Sequence, residues 1–244
     1  PVYAACVTDV RMPPCRAPGI ARAAGVVRAA LCAAALTLLT GAATATAADR
    51  FALIVTGASG GPDYAEKYDG WRTAVVQALA GPMRVPEQNI VELAEEEVFS
   101  TRKATRENVR AAVADLRRRV GKDDVVLVLL IGHGSGNDAE DAKFNLVGPD
   151  LTAREWGELL AGLPGRLVFI NSASGSFGFL EAISARGRVV ITANSSGAQQ
   201  FETVFPEFLV QALRDGAADL DKNGRSSVLE WFTFVSAGVQ TWYE

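Results

Sequence analysis

Cysteine is the first absence. All three cysteines, Cys6, Cys15 and Cys32, precede residue 48, so a chain that begins there has neither disulfides nor thiol chemistry. Histidine is nearly absent too, with His133 alone. A long apolar span is also lacking, because the run Ala29 to Leu39 falls short of the ~20 residues that cross a bilayer. Arg16, Arg22 and Arg28 precede that run and the small residues Ala45-Thr46-Ala47 follow it. This is the layout of a secretory signal peptide, with cleavage expected after Ala47 and a secreted or periplasmic destination. Met12 is the expected translation start, so residues 1–11 are read as upstream of it.

A cationic surplus is missing as well. Setting aside residues 1–47 removes four Arg and one Asp and leaves 20 basic against 27 acidic side chains, a net charge of -7. That balance excludes nucleic acid as a natural partner. The densest basic segment, Arg102 to Arg119, reads as the wet face of a helix whose apolar face is Val109, Val113, Leu116 and Val120.

With 49% hydrophobic and 21% charged residues, the 244-residue chain suits one globular domain. Apolar runs at Phe51 to Thr56, Asn89 to Leu93, Asp124 to Ile131, Arg166 to Asn171 and Arg188 to Thr192 read as buried strands. Helical spacing separates them at Trp71 to Ala80, Thr105 to Val120, Thr152 to Leu163 and Phe177 to Ser184. The third of these opens with a Thr152/Glu155 capping box. Alternation of this kind implies an α/β fold, a mainly parallel sheet with helices on both faces. Its ligands are expected at the carboxyl ends of the strands.

The first strand runs into Thr56-Gly57-Ala58-Ser59-Gly60-Gly61, which looks like the nucleotide loop of a short-chain dehydrogenase. Pro62 and Asp63 stand where a dinucleotide loop needs its last glycine, and no Tyr-x-x-x-Lys pair follows. The glycines are therefore read as a tight strand-to-loop turn. The third strand ends in Ile131-Gly132-His133-Gly134, and the fourth in Ile170-Asn171-Ser172-Ala173-Ser174-Gly175-Ser176.

Over most of residues 51–196 these motifs resemble the legumain-like C13 peptidases of the caspase clan. In that family one strand ends in His-Gly and the next carries Glu-Ala-Cys-x-Ser-Gly-Ser. The resemblance implies a caspase-like three-layer fold. It maps His133 to the base, Ser172, 39 residues on, to the nucleophile position, and Gly134 to an oxyanion-hole N–H. Ser172 replaces the cysteine, Asn171 the small alanine and Ile170 an acidic residue. A serine hydroxyl is far less acidic than a thiol and needs an oriented base. Asp138, Glu140 and Asp141 are the acids near enough in sequence to supply that orientation. The expectation is a catalytically degenerate member that binds or scaffolds a protein or peptide. The alternative is a serine peptidase or esterase using a Ser172/His133 dyad.

The organisation expected is a leader at 1–47, a C13-like core at 48–200, and a helix-loop-helix at 201–244 packed on the same domain. Within the last segment, Asp219-Leu220-Asp221-Lys222-Asn223-Gly224-Arg225 through Glu230 matches an EF-hand loop. Asp219, Asp221 and Asn223 take positions one, three and five, Arg225 offers its carbonyl, and Glu230 closes the shell. The expected ion is Ca²⁺, acting as a structural clip, with helices at Phe205 to Leu213 and Val228 to Gln240 on either side.

Overall fold

The computed structural model describes residues 5–7, 48–98, 101–199, 202–214 and 216–244. Its main sheet is built from the expected apolar runs. They form β2 (Arg50–Thr56), β3 (Ile90–Ala94), β5 (Val125–Ile131), β9 (Arg166–Asn171) and β10 (Arg188–Thr192), joined at one edge by the short β4 (Arg102–Lys103). These six strands are parallel, in the order β10-β9-β5-β2-β3-β4. Ala5–Val7 (β1) adds an antiparallel edge strand beside β10. It comes from the segment read as the leader, the rest of which lies outside the described residues.

Strand periodicity sorts side chains onto two faces. In β5, Val126, Val128 and Leu130 enter one apolar layer, while Leu127, Leu129 and Ile131 enter the other. The first layer is covered by α2 (Arg106–Arg119), α3 (Ala153–Leu160) and α4 (Phe177–Ile183). The second is covered by α1 (Pro62–Ala80), α5 (Phe205–Arg214) and α6 (Val228–Tyr243). The 201–244 segment thus shares a core with α1 and the sheet, and the fold is a three-layer α/β sandwich. No helix among the described residues is long and apolar enough to cross a membrane.

Helix ends follow their caps. The Thr105 side chain accepts the Asn108 N–H at the start of α2, and the Thr152/Glu155 capping box opens α3 as expected. The α1 helix starts nine residues earlier than its apolar spacing predicts. Pro62 occupies its first turn, where a missing N–H costs nothing. Its first turns instead carry Tyr64, Lys67 and Tyr68, the residues that surround the candidate site.

Candidate functional site

The strand order reverses at β2, with β3 on one side and β5 on the other. A doubly wound sheet opens a crevice at such a point, beyond the carboxyl ends of the strands. Here the loop that leaves β2 is bonded back onto the fold. The Gly57 N–H donates to the Ile131 carbonyl at 2.9 Å and the Ala58 N–H to the Asn145 carbonyl at 3.1 Å. The Ser59 N–H donates to Glu95. Amides that would face a phosphate in a nucleotide loop are thus spent inside the fold.

His133 leaves the end of β5 half-buried and is packed edge-on against two tyrosines. Its ring lies 4.6 Å from that of Tyr64 and 5.6 Å from that of Tyr68, centroid to centroid. Tyr64 donates to Glu202 at 3.2 Å, and Lys67 pairs with the same carboxylate at 2.7 Å. The hydrogen bond to Glu202 raises the Tyr64 phenol above its ordinary value, and burial raises that of Tyr68 still further. Both phenols are therefore neutral around His133 at physiological pH.

Strands β5 and β9 are neighbours, so the His133-Gly134 and Ser172 strand ends lie side by side. Adjacency does not assemble a dyad. Ser172 is 1% exposed and its hydroxyl donates to the Leu130 carbonyl at 2.6 Å, next to its own N–H on the same oxygen at 3.0 Å. Gly134 is met by a different serine: Ser174 Oγ donates to the Gly134 carbonyl at 3.1 Å and accepts the Gly134 N–H at 3.3 Å. The N–H assigned to an oxyanion hole is therefore spent on Ser174.

The third hydroxyl, that of Ser176, donates to Asn194 Oδ1 at 3.1 Å and accepts the Asn194 N–H at 3.2 Å. Sequence reasoning missed Asn194, whose pairing with Ser176 spans 18 residues and leaves no local pattern. The nearby acids serve the loop rather than the imidazole. Asp138 Oδ1 accepts the N–H groups of Glu140 and Asp141, Asp141 Oδ1 those of Asn137 and Asp138, and Glu140 pairs with Arg154. The Asp141 carboxyl is held below its ordinary value by these N–H groups, those of Asp138 and Asn137 first.

Close backbone approach explains the glycines of this tract. A Cβ on Gly134 would lie 2.6 Å from the Ser174 carbonyl oxygen, and one on Gly175, at φ +60°, would lie 2.8 Å from the Ser135 Cα.

The acidic loop between α5 and α6 is ordered by its own side chains. Asp219 accepts the N–H groups of Asn223 and Gly224 at 3.0 and 2.8 Å, and Asp221 accepts that of Asn223 at 3.1 Å. Asn223 Oδ1 accepts the Arg225 N–H at 2.9 Å. Glu230 caps α6 with one oxygen on Ser227 and places the other on the N–H groups of Leu220 and Asp221, at 2.9 and 3.3 Å. One oxygen from each of Asp219, Asp221 and Glu230 lies within 4.8 Å of the others. This hard-oxygen donor set suits a calcium-sized cation.

The same bonds, led by the Ser227 N–H, lower the Glu230 carboxyl to about 2. Because the folded value is depressed, the stabilisation is present above the unfolded value near 4.5 and is lost as pH falls through about 2. A Glu230→Gln variant is expected to show a flatter fall in urea midpoint than wild type across that window. Parallel acid limbs would show that the charge of the cap contributes nothing.

Comparison with known proteins reaches the fold. No protein-family profile and no curated relative matches the sequence. Among solved structures the chain is similar to protein GSU0716 from Geobacter sulfurreducens, at 14% identity and a TM-score of 0.50, over 77% of this chain and 88% of that one. At that identity the likeness shows a shared α/β fold alone.

Proposed function

We propose that this chain is a caspase/legumain-like protein without hydrolytic activity, exported by its leader, that serves as a binding or scaffolding protein. One observation carries the reading: the hydroxyl at the nucleophile position is buried and donates to the Leu130 carbonyl. An attacking serine must instead present its oxygen to substrate and its proton to a base. The Gly134 N–H, engaged by Ser174, points the same way. His133, packed between two tyrosine rings, has no carboxylate hydrogen-bonded to it among the described residues and so lacks the acid that orients a catalytic imidazole.

In this reading the loop from Asp219 to Glu230 holds Ca²⁺ through Asp219, Asp221, Asn223, the Arg225 carbonyl and Glu230. The ion would supply positive charge that ties the loop together and lends no step of chemistry. Affinities of about 10⁻⁴ to 10⁻³ M suffice for such a clip outside the cell.

The test is a fluorophosphonate probe together with peptide and ester substrates. Neither labelling nor turnover is expected, and iodoacetamide should have no effect on a chain lacking residues 1–47. Labelling of wild type that disappears in both His133→Ala and Ser172→Ala would overturn the proposal and establish a serine hydrolase. Labelling that survives Ser172→Ala and disappears with Ser174→Ala would also overturn it, and would move the nucleophile by two residues.

A further inference from the structure

We propose that the outer edge of β10 is a strand-acceptor site, where an extended, β-branched and uncharged segment of a partner protein adds antiparallel to the main sheet. The inference rests on the export and binding reading above and names how a partner is held. Among the described residues, the sheet carries only β1 beyond β10. The β1 backbone pairs antiparallel with β10, placing Ala5 opposite Ile191, Cys6 opposite Val190 and Val7 opposite Val189. That segment precedes the expected start at Ala48. A chain exported without it presents the same row of backbone N–H and C=O groups to a partner strand.

The two edges of the sheet are built differently. At the far edge β4 is two residues long and both are charged, Arg102 and Lys103. Glu97 accepts the Lys103 N–H at 3.3 Å. Short, charged strands of this kind resist pairing with other chains. The β10 edge has no such guard. Its five residues, Arg-Val-Val-Ile-Thr, hold no proline and a single charge. That charge is turned back onto the fold, because the Arg188 guanidinium donates to the Ile183 carbonyl of α4 at 2.9 Å and to the Leu160 carbonyl of α3 at 2.8 Å.

The chemistry of the added segment follows from the strand it meets. Val189, Val190 and Ile191 are β-branched in succession, and cross-strand neighbours of the same kind pack well against them. Val190 belongs to the apolar layer under α2, α3 and α4, and Ile191 to the layer under α1, α5 and α6. Alternate side chains of an added strand would therefore extend both layers. In this mode backbone bonds supply affinity and side chains supply selectivity. A charge at the centre of the segment would lose water beside apolar neighbours, and a proline there would remove a ladder N–H.

The experiment uses residues 48–244, which hold both apolar cores entire, since every buried member lies between Phe51 and Val239. The probe is fluorescein-labelled Ser-Thr-Val-Val-Val-Thr-Ser, compared with the same peptide carrying proline or lysine at its centre. Anisotropy is expected to show the valine peptide binding at least about ten-fold more tightly than either, and hydrogen-exchange mass spectrometry to show slowed exchange at residues 188–192. A Val189→Lys variant, which gives this edge a charge like that of β4, should lose the binding while keeping the wild-type far-UV spectrum. Equal binding of the three peptides, protection that falls outside residues 188–192, binding retained in the folded Val189→Lys variant, or no binding at millimolar peptide would each overturn the proposal. Protection of residues 188–192 that rises with protein concentration, without peptide, would overturn the choice of partner and assign the edge to a second copy of the chain. Mass spectrometry of the recovered peptide separates these failures from that of the wider reading. Intact peptide leaves the absence of hydrolysis standing whatever β10 does, and cleaved peptide overturns it.

Discussion

Trp156→Ala is expected to destabilise the protein by about 3–5 kcal/mol, the range found when a large aromatic is cut out of a packed core. Trp156 is fully buried on α3, with its ring edge-on to Phe169 of β9 at 6.2 Å. Phe169 in turn stacks on Phe179 of α4 at 6.0 Å. The three rings couple two helices to the strand that ends just before Ser172, so the cavity would open at the centre of one apolar layer. For a chain of this size the melting temperature should fall by roughly 10 °C. Trp156→Phe separates volume from polarity. The indole N–H has no hydrogen-bond partner in its buried position, so phenylalanine removes an unsatisfied donor while keeping most of the ring. Its cost should stay under about 1.5 kcal/mol. Equal losses in both variants would show that the full indole outline, and not an aromatic ring in general, fills this layer.

Calcium is expected to raise the melting temperature on the order of 5–10 °C. With a Kd of about 10⁻⁴ M and about 10 mM free ion, binding to the folded state alone is worth about 2.7 kcal/mol, and a domain of about 200 residues gains roughly 2–4 °C for each kcal/mol. EDTA should return the melt to its starting position. Glu230→Gln is expected to melt lower even without metal, because the residue also caps α6. The informative quantity is therefore the calcium increment within each variant, which should vanish in Glu230→Gln and in Asp221→Ala. The same increment from magnesium would point to general charge screening. An absent increment in wild type would leave the segment as a helix-capping turn.

Five of the six parallel strands were legible because each is an apolar run, and their ends agree with expectation to within a residue or so; β4, the charged pair Arg102–Lys103, was read instead as the start of a helix face. The start of α1 was not legible either, because Pro62 to Gly70 alternates polar and aromatic residues without an apolar stripe. Pro62 followed by Asp63 was the available signal, and it reads equally well as loop punctuation. The second, small sheet of β6 (Gly134–Ser135), β7 (Lys143–Phe144) and β8 (Leu151–Thr152) was also invisible. Two-residue strands carry no period. At the site, the sequence placed His133 and Ser172 on strand ends that do lie side by side. It could not say which way Ser172 faces, because the choice between a substrate cleft and the Leu130 carbonyl depends on a partner 42 residues away.

The contacts of Gly134 and Gly175 bear on how such a chain drifts over generations. Any side chain at either position would collide with backbone across the β5 and β9 ends, and Ser174 bonds both the carbonyl and the N–H of Gly134. Selection for folding alone would therefore retain Gly134 and Gly175, whatever chemistry the chain performs. Position 172 asks for less: a small hydroxyl on one carbonyl. The glycines and serines at these two strand ends are, atom by atom, a record of how closely two loops are pressed together.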